Sequence, residues 1–154
     1  MEDNKRVVIR FFDEVWNQRK LEIADDLFDN DCHTFQLRSG APVTSTPRGP
    51  ESIKNHITEW LSGFPDLTFA IEQMISEGDR VSSLLVMEGT HTGQWLGIPP
   101  NGKRINIRMM TIHRLRSCKI IEDWVIVESL GFFGQLGILP ATSDLLREFS
   151  QKKE

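Results

Sequence analysis

Four strand-like segments follow one another in the second half of the chain, and this run most narrows the possible folds. Each segment is rich in β-branched and other apolar residues. Turn-forming sequences, EGD, PPNG and RSCK, separate each segment from the next. The segments are LTFAIEQMIS, RVSSLLVMEGTH, KRINIRMMTIHRL and KIIEDWVIVES. Strands joined in succession by turns pair antiparallel, so we expect an antiparallel sheet.

The first half of the chain carries helical patterns instead. Apolar residues recur at helical spacing over residues 7–16, which predicts an amphipathic helix of about four turns beginning near Asp3 or Asn4. A shorter helix is expected over residues 21–28. Another helix should begin at Pro50, since proline suits the first helical position. Helices followed by a run of strands favour an α+β fold.

The connecting segments are simpler to interpret. The sequence CHTFQL predicts a short strand, and RSGAPVTSTPRG predicts a loop because it is rich in proline, glycine, serine and threonine. A short helix is expected from about Ser143 onwards. The length of 154 residues suits one domain with a sizeable core. We therefore expect a single domain over residues 1–154, with a C-terminal tail from about residue 130.

Charge and composition argue against several classes of partner. With 18 basic and 22 acidic residues the net charge is −4, and no dense basic stripe is visible, so nucleic acid is not an expected partner. We find neither a secretory signal nor an apolar run near the roughly 20 residues of a membrane helix, so we expect a cytoplasmic protein that does not bind membranes. The cysteines and histidines lack zinc-site spacing, so no metal is expected.

The last strand-like segment places a carboxylate on the face that it should bury. At period two, one face holds Ile121, Asp123, Val125 and Val127, so Asp123 interrupts an otherwise apolar set. In the preceding segment the odd-numbered residues from 105 to 115 form the apolar face, and this face includes His113. An inward carboxylate can be an acid/base group or one member of a structural polar pair.

Much of the chain, over residues 5–127, resembles the SnoaL-like polyketide cyclases, also called ester cyclases. The block GTHTGQWLGIPPNGK is the most specific match. The other matching segments are VVIRFFDEVWNQRKLEIADDLFDNDC, GPESIKNHI, FPDLTFAIEQMISEGDRV and KIIEDW. The resemblance implies an NTF2-like cone, in which a curved antiparallel sheet is wrapped by N-terminal helices around a pocket for a hydrophobic small molecule. It also implies a homodimer that uses no metal or organic cofactor.

The resemblance also implies a catalytic aspartate on the last strand and a histidine on the strand before it. These positions fall on Val125 and Thr111 here, and neither residue can replace what the family uses. If Thr111 opposes Val125, the antiparallel register places His113 opposite Asp123. Asp123 with His113 is therefore the candidate catalytic pair, one pleat nearer the hairpin than in the studied cyclases.

Further candidates lie elsewhere in the chain. His33 follows the second predicted helix, where it can face the cone as a catalytic group or serve as a buried, hydrogen-bonded histidine. His56 is expected at the surface. Aromatic and other residues expected to line the pocket, or to be ordinary core, are Phe12, Trp16, Phe35, Trp60, His91, Trp95, Met109, Thr111 and Val125.

These observations support three hypotheses about function. The first is a cofactor-independent cyclase, isomerase or related lyase that moves protons on a hydrophobic carbonyl compound. The second is a non-catalytic protein that binds hydrophobic small molecules, which the loss of the family pair at Thr111 and Val125 favours. The third is a small hydrolase of the epoxide type, which uses an arginine between two aspartates. The arginine of the strand before Asp123, Arg108, should point outward and so argues against the third.

Overall fold

The computed structural model describes residues 2–37 and 42–151. The helices are α1 (Glu2–Arg10), continued by a π-helical segment (Phe11–Asn17), a 3-10 turn (Leu21–Ile23), α2 (Ala24–Leu27), α3 (Pro50–Gly63), α4 (Ser129–Gln135) and α5 (Thr142–Gln151). The strands are β1 (Phe28–Leu37), β2 (Thr44–Pro47), β3 (Thr68–Glu77), β4 (Arg80–Thr90), β5 (Arg104–Arg116) and β6 (Lys119–Val127). Within these ranges no helix is both long and apolar enough to cross a membrane.

The strands form one curved, open sheet in the order β2-β1-β6-β5-β4-β3. The four predicted strands of the second half pair antiparallel with their neighbours in the chain, which confirms the prediction of hairpins. β1 pairs with β6 in parallel, which the sequence pattern did not indicate. A parallel pair needs a long crossover, and the whole segment from β2 to β5 provides it here.

The segment between the second predicted helix and α3 differs from its prediction. β1 begins at Phe28, so it is longer than the predicted strand, and the second helix ends sooner than predicted. The predicted loop contains β2, an exposed edge strand of sequence TSTP that pairs with β1. Part of that predicted loop, residues 38–41, lies outside the described residues. β2 lacks the apolar alternation by which strands are recognised, since both of its faces are exposed.

The inner face of the sheet and the N-terminal helix enclose the core. Along β5 every odd-numbered residue from Ile105 to Leu115 is buried, as the alternation predicts. The π-helical segment after α1 lies over this face and buries four residues: Phe11, Phe12, Val15 and Trp16. The segment was predicted as regular α-helix, and the wider turn lets two adjacent phenylalanines face inward.

A loop after β4 docks closely on the end of α3, and glycine is required there. The amide of Gly93 donates to the carbonyl oxygen of Gly63 over 3.0 Å. A Cβ atom at position 93 would lie 1.8 Å from the carbonyl oxygen of Ser62. That separation is far below any van der Waals contact, so the loop must shift if alanine is introduced.

We expect Gly93→Ala to lower the free energy of unfolding by about 1–3 kcal/mol, because overpacking against backbone has few ways to relax. Urea denaturation of the variant and of wild type measures the change. Gly134→Ala is the matched control, since a Cβ there meets nothing within 4 Å and the position is helical. Equal stability of the Gly93 variant and wild type would show that the loop is free to move off α3.

Candidate active site

A carboxyl and an imidazole lie side by side on the inner face of the sheet. Asp123 of β6 stands directly opposite His113 of β5, and Thr111 stands opposite Val125. The Nε2 atom of His113 is 3.3 Å from Oδ1 of Asp123. The register inferred from the sequence is thus confirmed, and it brings the two side chains together as cross-strand neighbours.

Two threonines complete a polar cluster in this apolar surrounding. Asp123 is 5% exposed and His113 is 0% exposed. Thr34 Oγ1 donates to Oδ2 of Asp123 over 3.3 Å, and Thr111 Oγ1 is 3.5 Å from Nδ1 of His113. The facing atoms Nε2 and Oδ1 are close but not aligned as a hydrogen bond, and neither has a hydrogen-bond partner in the described part of the chain. Each group therefore retains one unused polar atom.

Burial shifts the pKa values of Asp123 and His113 in opposite directions. Burial raises the pKa of Asp123, although His113, the hydrogen bond from Thr34 and the charge of Arg48 oppose the rise. Burial likewise lowers the pKa of His113, opposed by the carboxylate of Asp123. Both shifts favour the neutral forms, a protonated carboxyl beside a neutral imidazole. Such a pair titrates as a unit, and its carboxyl is a stronger base than an exposed aspartate.

The raised pKa of Asp123 predicts how Asp123→Asn changes stability with pH. The folded protein holds this proton to higher pH than the unfolded chain, so deprotonation opposes folding once pH exceeds the ordinary carboxyl pKa of about 4. Measured against the variant, wild type should lose up to about 1.4 kcal/mol of unfolding free energy per pH unit above that value, until the folded-state pKa is passed.

Urea denaturation of both proteins between pH 4 and pH 8 measures this difference. The raised pKa of Asp123 would be contradicted if the difference in unfolding free energy between the two proteins stayed constant with pH. It would also be contradicted if wild type became more stable relative to the variant as pH rises.

The structure adds two residues that sequence reasoning did not place at the site. Arg48 follows β2 and is half-buried, and its positive charge acts to lower the pKa of Asp123. His56 of α3 was expected at the surface but is half-buried, with ring centroids 6.4 Å from Trp16 and 6.5 Å from Trp60. Burial, aided by the charge of Arg48, lowers the pKa of His56 to about 4. Sequence reasoning missed Arg48 because it did not predict that β1 pairs with β6 in parallel. That pairing brings β1, and with it β2 and Arg48, next to the strand that carries Asp123.

Several residues expected to line a pocket pack into the core. The ring centroids of Phe11 and Phe12 lie 5.9 and 6.0 Å from that of His113 and enclose the imidazole. Trp16 packs edge-on against Phe69 with centroids 4.8 Å apart. Met109, next but one to Thr111 on the inner face of β5, is also buried. These contacts leave Asp123 as the more accessible member of the pair.

A second aromatic cluster lies at the end of α3. Trp60 and Trp95 have ring centroids 4.7 Å apart, and Phe132 of α4 packs against both. The tail segment containing α4 therefore closes over this cluster. His91 is buried and stacks on Phe64 at 5.1 Å between centroids, so its ring contact is here and not with the catalytic candidates.

Two of the candidate residues lie on the opposite face of β1. Cys32 and Thr34 are the buried residues of this stretch, so His33 and Phe35 point outward by strand alternation. Nδ1 of His33 is 2.7 Å from Ser45 Oγ, and Phe35 stacks on Trp124 at 4.0 Å. The structure therefore does not bring His33 or Phe35 to Asp123. Both line a separate outer groove of about 440 Å³.

The outer face also holds the arginine considered for an epoxide-type relay. Arg108 forms an ion pair with Glu72 at 2.9 Å and is largely exposed, as predicted from the strand alternation. It does not reach the inner face that carries Asp123. Across the described ranges, no group of three or more His, Cys, Asp or Glu side chains is arranged to hold a metal ion.

Known structures share this architecture along most of their length. Wild-type IdmH from Streptomyces antibioticus, suggested to be a polyketide cyclase, is 26% identical, with a TM-score of 0.73 over 87% of this chain and 98% of IdmH. AclR from Streptomyces galilaeus, suggested to be a hydroxylase, is 22% identical, with a TM-score of 0.79 over 99% of this chain and 92% of AclR. A SnoaL-like polyketide cyclase from Agrobacterium tumefaciens is 18% identical, with a TM-score of 0.71 over 86% and 97% of the two chains. The likeness confirms the NTF2-like cone.

Sequence comparison identifies the family directly. No curated protein sequence matches the chain significantly. The sequence profile of the SnoaL-like polyketide cyclases, in contrast, matches residues 6–136. The match runs from the middle of α1, through the strands β5 and β6 that carry His113 and Asp123, to the end of α4, so the chain belongs to the SnoaL-like polyketide cyclase family.

Proposed function

We propose that this protein is a cofactor-independent cyclase or isomerase that moves protons on a hydrophobic carbonyl compound, with Asp123 as acid/base and His113 as its partner. Family membership and the structural neighbours support a cyclase-type role in general terms. The observation that carries the specific proposal is the buried Asp123 carboxyl, 3.3 Å from a buried imidazole on the inner face of the sheet.

The reaction follows from the chemistry of a carboxyl with a raised pKa. Ionised Asp123 takes a proton from the carbon next to a substrate carbonyl, and the C–H electron pair moves to the carbonyl oxygen to form an enolate. In a cyclisation the enolate carbon attacks a second carbonyl carbon of the same molecule, and a C–C bond closes the ring. Asp123 then returns its proton to the new alkoxide oxygen. An isomerase returns it to another carbon instead.

His113 adjusts the proton affinity of Asp123 and does not contact the substrate in this proposal. Its ring is enclosed by Phe11 and Phe12, and Thr111 lies at its Nδ1 atom. The imidazole therefore has little freedom to rotate, which keeps Nε2 directed at Asp123. The residues at the family's catalytic positions exchange no protons in this proposal. Thr111 orients His113, and Val125 contributes apolar surface beside the pair.

Deuterium exchange tests the proposal without knowledge of the natural substrate. Aromatic ketones such as 2-tetralone are incubated with the protein in deuterium oxide, and loss of the α-proton signal is followed by NMR. We expect exchange that depends on protein concentration, saturates with ketone and disappears when the protein is heat-denatured. Exchange no faster than the heat-denatured control, for ketones that nevertheless bind, would contradict an acid/base role.

The second candidate function is a non-catalytic protein that binds hydrophobic small molecules. It is favoured by one observation, namely that the family's catalytic positions hold Thr111 and Val125, which cannot exchange protons at ordinary pH. The same ketone experiment separates the two candidates. Saturable quenching of tryptophan fluorescence without exchange supports binding alone, whereas quenching together with exchange supports the enzyme.

A further inference from the structure

The backbone directs Arg48 to the face of the sheet that carries Asp123. The amide of Arg48 donates to the carbonyl oxygen of Cys32 over 2.7 Å, continuing the β1–β2 pairing beyond its last bridge, which joins His33 to Pro47. Directly opposed residues in an antiparallel pair share a face. Cys32 is buried on the inner face, two residues before Thr34, which donates to Asp123. Arg48 therefore starts on the same face as Asp123.

The guanidinium of Arg48 is partly buried, and its buried Nε–H lacks a hydrogen-bond acceptor in the described part of the chain. Its Nε–H is buried and donates to no acceptor, and its side chain forms no ion pair, among residues 2–37 and 42–151. Burial lowers its pKa, yet an arginine remains charged in proteins. A partly desolvated charge without a partner is costly, and anion binding offsets that cost.

The acidic groups near Arg48 neutralise its positive charge only in part. Asp123 and Glu59 are the nearby acids, and burial favours the neutral form of Asp123. His56 is kept neutral, and burial raises the pKa of the Cys32 thiol to about 12, so that it is also neutral. The ring of His56 in turn packs edge-on against those of Trp16 and Trp60. The positive charge of Arg48 thus lies near an imidazole and a thiol that are both neutral.

We propose that Arg48 binds the oxyanion of the substrate. This inference rests on the proposed function, because the oxyanion is the enolate formed when Asp123 removes the α-proton. The guanidinium donates hydrogen bonds to the enolate oxygen while Asp123 holds the proton. The negative charge that develops on the enolate oxygen is then stabilised by the guanidinium of Arg48, which is already in position, and this lowers the barrier to proton removal.

Binding of 4-nitrophenol tests Arg48 separately from catalysis. Its anion is yellow and its neutral form colourless, so absorbance at a pH below its own pKa reports ionisation on binding. We expect wild type to bind the probe as the anion. Arg48→Met should weaken anion binding about 10- to 100-fold, since a charge-assisted hydrogen bond is lost. Arg48→Lys, which keeps the charge, should restore part of the affinity and gives a second test if the methionine variant is misfolded.

Three controls make the outcome specific. The neutral ether 4-nitroanisole cannot ionise, so its binding should be the same in wild type and Arg48→Met. Arg108→Met removes an arginine from the outer face and should leave anion binding unchanged. Asp123→Asn cannot carry a negative charge at any pH, so it should keep or strengthen anion binding, although we expect it to slow ketone exchange.

The results separate this inference from the acid/base proposal. Loss of anion binding in Arg48→Met, with unchanged binding of the ether, supports the role of Arg48 even if Asp123→Asn exchanges ketones at the wild-type rate. Anion binding that survives in folded Arg48→Met, or a wild type that does not bind the anion, overturns it.

Discussion

Replacing Asp123 by asparagine should slow the protein-catalysed deuterium exchange of an aromatic ketone by about 100- to 10,000-fold, the usual contribution of a positioned acid/base group. Asparagine keeps the shape of the side chain and can still accept the hydrogen bond from Thr34, but it cannot take a proton. The rate constant for exchange, measured by NMR at saturating ketone, gives the size of the effect.

The matched control is Asp31→Asn, which makes the same chemical change at an exposed position of β1. Its exchange rate should equal that of wild type. His113→Gln should have a smaller effect than Asp123→Asn and should shift the pH dependence of exchange, because His113 acts on the pKa of Asp123. If Asp123→Asn exchanged the ketone within about threefold of wild type, far inside the range of acid/base effects, another group would be the base.

Phe12→Ala should lower the free energy of unfolding by about 3–5 kcal/mol, which is a large part of the stability of a single domain. Phe12 is 2% exposed, and its ring packs against Phe11 and Phe69 with centroids 5.0 and 5.6 Å away. Removing the ring leaves a cavity beside His113 that neighbouring side chains can fill only in part. Urea denaturation at one pH measures the loss.

Leu146→Ala in α5 is the control for this prediction, because Leu146 is 64% exposed and alanine preserves the helix. It should change the free energy of unfolding by no more than about 0.5 kcal/mol. A loss below about 1 kcal/mol for Phe12→Ala would mean that its ring does not belong to the packed core that encloses His113.

The pairing of Asp123 with His113 was predictable because it depends on local rules. Alternation along β5 and β6 determines which residues face inward, and a hairpin determines which residues stand opposite. Those two rules place Asp123 beside His113, as the structure confirms. A bulge between Arg114 and Leu115 shifts the pairing only nearer the turn, where Ile120 and Ile121 are consequently both buried. The bulge lies between His113 and the hairpin turn, so it leaves the pairing of His113 with Asp123 unchanged.

The remainder of the site depends on contacts between distant parts of the chain. Parallel pairing of β1 with β6 brings Thr34 to Asp123 across 89 residues, and no local pattern specifies such a partner. Arg48 reaches the site through β2, whose exposed, polar sequence resembles a loop. The sequence left the face of His33 open, because the alternation of a single short strand can be assigned in either phase when its flanking residues are polar, and the structure directs His33 outward.

The most direct test of the account is the pKa of Asp123, measured by carboxyl-carbon NMR during a pH titration, with Asp123→Asn used to assign the resonance. We expect a value well above the model-compound value of about 3.9, because the carboxyl is buried and its partner His113 is held toward the neutral form. A value at or below the model-compound value would show an ionised, ion-paired carboxylate, and would contradict its role as the acid/base.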